Sequence, residues 1–406
     1  MAKVERGLIS LTGTTVSVAV DLSDSVPVGE SYVISSARAD SDSGYCSESV
    51  AKVELTTVDD GNYTKIEATR GDGANNCYVE WQVITGSEFT VQSGGTSFSD
   101  GIVPKTEPID EVTASKSFIT VSASSTAWGA HQSFVRAKFN STEEIELRPS
   151  AATTSYYPVA SWYVVEWDGA TVQSGTVDNT GITNTAEIDA VVLAETFLSY
   201  SYYATNSTRI PNLCFSRGRF SSTEEVEFRR GSSTSETYVS FFVVSHDDIS
   251  VQSGEETISG GSTTQTLSNA VDTSATFLST PNMGGAYQDS GGTGNLEYGF
   301  NSHKLFQDGD DSKVTIEREA TTGTLYASWF AVEVEVTDVD VNIIAPVATG
   351  TAQAITPTVT ATRNITVSAP VATATGQAPL PTVFIGIPAP VLSGEDVGAV
   401  IRLEVS

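Results

Sequence analysis

The tetrapeptide Val-Gln-Ser-Gly occurs at Val91–Gly94, Val172–Gly175 and Val251–Gly254, at spacings of 81 and 79 residues. A degenerate copy, Val4-Glu5-Arg6-Gly7, stands 87 residues before the first. A period of this length is the signature of one small domain copied in tandem, and it limits the chain to folds that can be stacked or strung.

Other anchors keep the same order. After each glycine comes an aromatic: Tyr32, Phe118, Phe197, Phe277. A β-branched residue with Glu and then Arg follows: Ile66-Glu67 with Arg70, Ile145-Glu146 with Arg148, Val226-Glu227 with Arg229, Ile316-Glu317 with Arg318. Last, an aromatic opens an apolar run, at Trp81, Trp162, Phe241 and Trp329. These anchors place four units at residues 1–90, 91–171, 172–250 and 251–337, with Val-x-x-Gly in the first strand of each. The short joins predict a semi-rigid rod or a compact cluster rather than beads on a string.

Inside the first unit the β-prone runs are Thr15–Val20, Ser31–Ala37, Val50–Leu55, Thr64–Thr69 and Tyr78–Ile84, separated by Gly, Asn and Asp. Short strands at regular spacing predict an all-β protein whose repeats are small antiparallel β-sandwiches or barrels. In the run around Phe241, Val239, Phe241 and Val243 share one face, and Phe242 and Val244 make the other apolar too. A strand apolar on both faces is covered twice. The second cover is expected to be a neighbouring unit or subunit, with Tyr163, Phe242 and Phe330 as the residues that test it.

Charge narrows the partners. The 406 residues carry a net charge of -29 with only 21 Lys+Arg. No basic run is present, so neither nucleic acid nor an anionic membrane is an expected partner. Such a surface suits a soluble protein displayed at high copy number, or one from a saline habitat. No stretch reaches the ~20 apolar residues of a membrane span, and residues 1–7 lack the apolar core of a secretory signal, which points to synthesis in a cytoplasm or to a signal already removed. Three cysteines do not make a disulfide scaffold. Cys46 and Cys77 share a repeat and either pair or remain thiols, and Cys214 stands apart.

Residues 338–406 differ in character. Ala345-Pro346-Val347-Ala348-Thr349 returns 24 residues later as Ala369-Pro370-Val371-Ala372-Thr373. Small residues with regular proline build no private core, so an extended segment is expected that is held by a partner chain, with alternation over Val397–Val405 suited to adding a strand to another subunit's sheet.

Candidate chemistry is thin. His131, His246 and His303 fall at non-equivalent positions of different repeats, and no catalytic, cofactor-binding or metal-ligating set is proposed. Asp40-Ser41-Asp42, Asp59-Asp60-Gly61-Asn62 and Asp308-Gly309-Asp310-Asp311 resemble fragments of calcium loops, yet lack the spacing and closing Glu of an EF-hand. They are expected to be hairpin tips. Glu143-Glu144 and Glu224-Glu225 recur and so belong to the scaffold. The repeated Glu–Arg pair is expected to fix strand register, or to contact a ligand. Trp128, Tyr156, Tyr157, Tyr200, Tyr202 and Tyr203 look exposed and suited either to stacking on sugar rings or to an interface. Sequons at Asn62, Asn140, Asn206 and Asn364 carry little weight in so Ser/Thr-rich a chain.

The four-fold repeat, built on Trp/Phe-x-Val-Val and Val-Gln-Ser-Gly and followed by the Ala-Pro-Val-Ala-Thr tail, resembles tandem-repeat structural proteins of tailed viruses, which serve as tail, fibre or capsid-surface components. That resemblance implies a non-enzymatic virion protein without cofactors. Its expected partners are other copies of itself, in a trimer or higher ring, other virion proteins and a host-surface glycan. The alternative is a cell-surface or secreted adhesin with carbohydrate-binding β-modules, and a third reading is an enzyme acting on polysaccharide.

Overall fold

Alternating apolar and polar side chains, broken by Gly, Asn and Asp, produce strands throughout, and no α-helix occurs among the described residues. The structure is a computed structural model. It describes residues 2–39, 50–73, 75–99, 103–126, 134–149, 157–205, 215–231, 236–280, 286–288, 301–318, 324–334, 385–387 and 399–401.

The first unit comprises β1 (Lys3–Leu11), β2 (Ser17–Pro27), β3 (Ser31–Ala39), β4 (Ala51–Asp59), β5 (Asn62–Arg70) and β6 (Cys77–Thr85). They form two three-stranded antiparallel sheets, β1–β6–β3 and β2–β5–β4. The second unit repeats this with β7 (Phe89–Ser97), β8 (Lys105–Pro108), β9 (Ser117–Ser125), β10 (Val135–Ser141), β11 (Glu144–Pro149) and β12 (Pro158–Trp167). The third has β13 (Thr171–Asn179), β14 (Thr183–Glu187), β15 (Thr196–Ala204), β16 (Arg217–Ser222), β17 (Glu225–Arg229) and β18 (Thr237–Ser245). The fourth has β19 (Ile249–Ile258), β20 (Ser262–Thr266), β21 (Thr276–Ser279), β22 (Ala286–Gln288), β23 (Ser302–Asp308), β24 (Asp311–Glu317) and β25 (Thr324–Val334), with β22 as an additional strand against β25. Residues 86–88, 168–170 and 246–248 join consecutive units.

The repeated tetrapeptide has a mechanical explanation. Its glycine is the direct cross-strand partner of the repeated aromatic, in the pairs Gly7–Trp81, Gly94–Trp162, Gly175–Phe241 and Gly254–Trp329. The ring lies flat across the glycine, where any Cβ would stand 2.3–2.5 Å from its nearest atom. The valine enters the core. The glutamine clips the chain between the second and third strands: Gln92 accepts from the Asp110 N–H (2.6 Å) and donates to the Asp110 carbonyl (2.9 Å). Gln173 does the same with Asp189, and Gln252 with Asn269.

The four units close on one another. The fourth strand of one unit lies on the outer face of the next unit's first sheet, so each first sheet is buried on both sides. Tyr163, Phe242 and Phe330 are 3%, 1% and 3% exposed within the single chain, so the cover is a neighbouring unit. Phe139 meets Phe242 and Phe220 meets Phe330 edge to face, each at 5.7 Å. Equivalent serines stitch three seams: Ser122 Oγ accepts from Val53 N–H, Ser201 Oγ from Ala137 N–H and Ser36 Oγ from His303 N–H, each at 2.9 Å. The last of these joins the fourth unit to the first. The Val91 N–H donates to the Gly29 carbonyl (2.7 Å) between units one and two, and the Val4 N–H donates to the Ser274 carbonyl (2.7 Å) between units one and four. The fourth unit thus treats the first as the first treats the second, and residues 1–335 form one compact ring-closed body.

At the centre stand Tyr32, Phe118, Phe197 and Phe277, all fully buried. Neighbouring rings meet edge to face around the circle, with centroids 5.8, 5.9, 5.5 and 6.5 Å apart. Each such pair contributes about 0.5–1.5 kcal/mol beyond its buried area. Beneath them Phe89 and Trp167 fill the axis, and Trp167 stacks on His246 at 4.8 Å.

Residues 336–406 form a separate body, in which β26 (Ile385–Ile387) pairs antiparallel with β27 (Ala399–Ile401) of the same chain. The remainder of the segment expected to be extended lies outside the described residues.

Candidate functional site

The strand directions give the ring two unlike ends. At one end the fourth and fifth strands of each unit are joined by two residues, at 60–61, 142–143, 223–224 and 309–310. Asp60 (φ 47°) and Gly61 (φ 77°) adopt the left-handed backbone of a tight hairpin turn there. The acidic Asp59–Asn62 and Asp308–Asp311 stretches, and Glu143 and Glu224, are these tips. The three joins between units lie at the same end. The connections between the second and third strands, 109–116, 188–195 and 267–275, also pack against the tips, as in the bonds from the Ile109 N–H to the Glu143 carbonyl and from the Ile188 N–H to the Glu224 carbonyl. The opposite end receives the connections from third to fourth strand, residues 40–50, 126–134, 205–216 and 280–301, the last of which includes β22.

At that end the axis opens into a cavity of about 30 Å³ above the aromatic quartet. Ile34, Thr120, Ser199 and Ser279, each two residues beyond a quartet ring, line it, with Tyr163 and Tyr200 in its wall. Its hydroxyls are largely committed. Thr120 Oγ1 donates to the Val33 carbonyl (3.2 Å) and Ser279 Oγ to the Leu198 carbonyl (2.9 Å). Tyr163 Oη accepts from the Leu55 N–H and Tyr200 Oη from the Gly218 N–H. Burial raises both phenols well above their usual range. A hollow of this size and polarity holds a water or two.

The aromatic anchors Trp81, Trp162, Phe241 and Trp329 occupy equivalent core positions, 3–6% exposed. The arginine anchors divide. Arg70 and Arg318 are buried, and their Nε–H groups donate to the Thr15 and Gly260 carbonyls. The third unit places Arg230, not Arg229, at that position, with its Nε–H on the Gly181 carbonyl, and the second unit has Pro149 there. Arg148 and Arg229 precede it by one residue and point to the opposite face. Arg148 covers the Tyr203 ring at 5.2 Å and Arg229 the Tyr326 ring at 4.6 Å, both across seams. Glu317 occupies the same position in the fourth unit and pairs with Arg38 of the first at 2.6 Å.

The repeated glutamates therefore do not pair with the arginines that follow them. Glu146 pairs with Arg136 (2.7 Å) and Glu227 with Arg217 (3.1 Å) and Arg219 (2.9 Å) on the adjacent strand, an arrangement that sequence order alone does not reveal. The tyrosines that look exposed in the sequence are not. Tyr200, Tyr202 and Tyr203 are 8%, 0% and 4% exposed, and Tyr157 is half-buried, so no sugar platform forms from them. Trp128 and Tyr156 lie outside the described residues, as do Cys46, Cys214 and His131. Cys77 is buried on β6.

His246 Nδ1 accepts from the Asp248 N–H (3.0 Å), so Nε2 carries the proton and donates to the Asp168 carbonyl (3.0 Å). It ties one join to the next. His303 is buried, with neither ring nitrogen hydrogen-bonded, and burial pushes it down to about 3. Glu80, on the first-unit side of the same seam, is pushed up to about 7 by burial. Among the described residues no group of three or more His, Cys, Asp or Glu side chains is placed to hold a metal ion, and no helix is long and apolar enough to cross a membrane. Comparison with protein-family models and with curated proteins finds no match to this chain.

Proposed function

We propose that this chain is a non-enzymatic structural protein of a virus or phage particle, at its tail, fibre or capsid surface. In this reading the ring of residues 3–334 is a rigid platform and residues 338–406 carry attachment to other copies and to other virion proteins. The observation that carries the reading is the closed ring of four sandwiches around Tyr32, Phe118, Phe197 and Phe277, with the connections from third to fourth strand all leaving from one end. Its polar side chains serve seams, turns and clips, which is the economy of a scaffold. Because the repeat faces are filled within one chain, association between chains falls to other surfaces, and the tail is the segment left to supply it.

Light scattering on the whole chain and on a chain ending at Glu335 tests this. The whole chain is expected to form larger assemblies than the shortened one. Equal mass per chain in both removes the role given to the tail. A glycan array separates the adhesin reading: sugar binding by the shortened chain would favour it over a particle component.

A further inference from the structure

Three of the four seams are spanned by a three-residue join, at 86–88, 168–170 and 246–248, and cannot part far. The seam between the fourth unit and the first is held by side chains and backbone hydrogen bonds alone. We propose that the ring opens at this seam, and that the partner its opened faces take is a second copy of this chain, closed through the same contacts in trans. The inference goes beyond the function proposed above and does not depend on which particle, if any, the chain joins.

The seam differs from the others at equivalent positions. His303 stands where the other units have Val53, Ala137 and Gly218, residues that ask for no hydrogen-bond partner. Its ring nitrogens have none. Glu80 stands where the others have Ser161, Ser240 and Ser328. Gln82 stands where the others have Tyr163, Phe242 and Phe330, so an aromatic seam contact is exchanged for hydrogen bonds, with Gln82 accepting from the Leu278 N–H (2.7 Å) and donating to its carbonyl (3.0 Å). Arg38 donates to Ser302 Oγ (3.1 Å) and pairs with Glu317, a contact that opposes the Arg–Tyr polarity of the seams before it. A polar, hydrogen-bonded seam with unmet groups loses less on meeting water than an aromatic one. Because an open ring exposes two complementary faces, a second open ring satisfies both, which is the geometry of a swapped dimer.

The Arg38–Glu317 pair makes the exchange readable. A full-length chain with Arg38→Glu faces Glu317 in cis with like charge, and one with Glu317→Arg faces Arg38 likewise. In a swapped heterodimer of the two, both seams regain opposite charges. Native mass spectrometry of the mixture, with one chain isotope-labelled, should show heterodimer enriched over a labelled and unlabelled wild-type mixture by roughly fivefold for each restored seam. A chain carrying both substitutions should behave as wild type. Association through residues 338–406 is blind to these charges, so equal heterodimer in every mixture overturns the proposal while leaving the tail's role intact. Hydrogen exchange on the unmodified chain gives an independent reading. Amides of β3, β6, β23 and β24 should open faster than their counterparts in β10, β11, β15 and β18, and equal or slower opening overturns the proposal.

Discussion

The indole of Trp162 lies across Gly94, its direct partner on the neighbouring strand, so that a Cβ there would stand 2.3 Å from Cζ2. Gly94→Ala must lift the indole out of the core or part the strands. Overpacking of this kind destabilises by about 1–3 kcal/mol. Gly260→Ala is the control, because nothing lies within 4 Å of the added methyl. Urea denaturation should show a lowered midpoint for the first and an unchanged one for the second.

Tyr32 is the one phenol in a quartet whose other members are phenylalanines, and its buried hydroxyl has no hydrogen-bond partner. Tyr32→Phe removes that unmet group and keeps the ring contacts. The change should stabilise the chain by about 1 kcal/mol, seen as a higher thermal midpoint. Phe197→Ala at the same level should cost about 3–5 kcal/mol.

Glu5 occupies the place of Gln92, Gln173 and Gln252. Its Oε1 accepts from the Ser23 N–H (2.7 Å), while Oε2 is buried and unpartnered. Glu5→Gln supplies an N–H for the missing half of the clip and should stabilise by about 1 kcal/mol. Gln173→Ala, which removes both halves, should destabilise by about 1–2 kcal/mol.

Glu80 and His303 impose opposite pH dependence on the closing seam. His303 falls from 6.5 to about 3, so its contribution is full above pH 6.5 and is lost as pH falls toward 3. Glu80 rises from 4.5 to about 7, so its contribution is full below pH 4.5 and is lost as pH rises through 7. Lys304 and Arg38 moderate the second shift and Glu317 adds to it. Each effect is about a hundredfold in the folding equilibrium between pH 7 and pH 4, and in the intact chain they nearly cancel. Glu80→Gln should therefore lose stability toward acid relative to wild type, and His303→Ala should gain it. Chemical denaturation of both variants across this range reads the difference, and parallel curves for the two would refute the pairing.

The repeat, the strand class and the doubly covered strand were legible because they rest on local signals: a recurring tetrapeptide, and alternation with period two. Phe242 next to Phe241 announced a second buried face without any knowledge of what covers it. Closure of the ring was not legible, since the same joins suit a rod, and the difference lies in contacts such as His303–Ser36 that link distant positions. The arginine alignment slipped for a physical reason. Moving one residue along a strand exchanges its faces, so Arg148 and Arg229 align well by spacing with Arg70 yet point the other way, and the true counterpart Arg230 is hidden beside Arg229. The tyrosines of β15 misled in the same manner. Tyr200, Tyr202 and Tyr203 sit among serines, yet Tyr200 packs on Phe228 of its own unit's second sheet, and Phe134, Arg136 and Arg148 of the neighbouring unit cover Tyr202 and Tyr203.

The contrast between the ring's two ends has a consequence for how such a molecule can change. The two-residue tips and three-residue joins tolerate almost no alteration, because each sets the registration of a sandwich or the step to its neighbour. The connections 40–50, 126–134 and 205–216 start and finish at strand ends already locked by hydrogen bonds, so their length and chemistry can drift independently in three places, and the fourth, 280–301, already departs from them by adding β22. One rim is thus free to diversify against whatever it meets, while the opposite rim keeps the architecture constant.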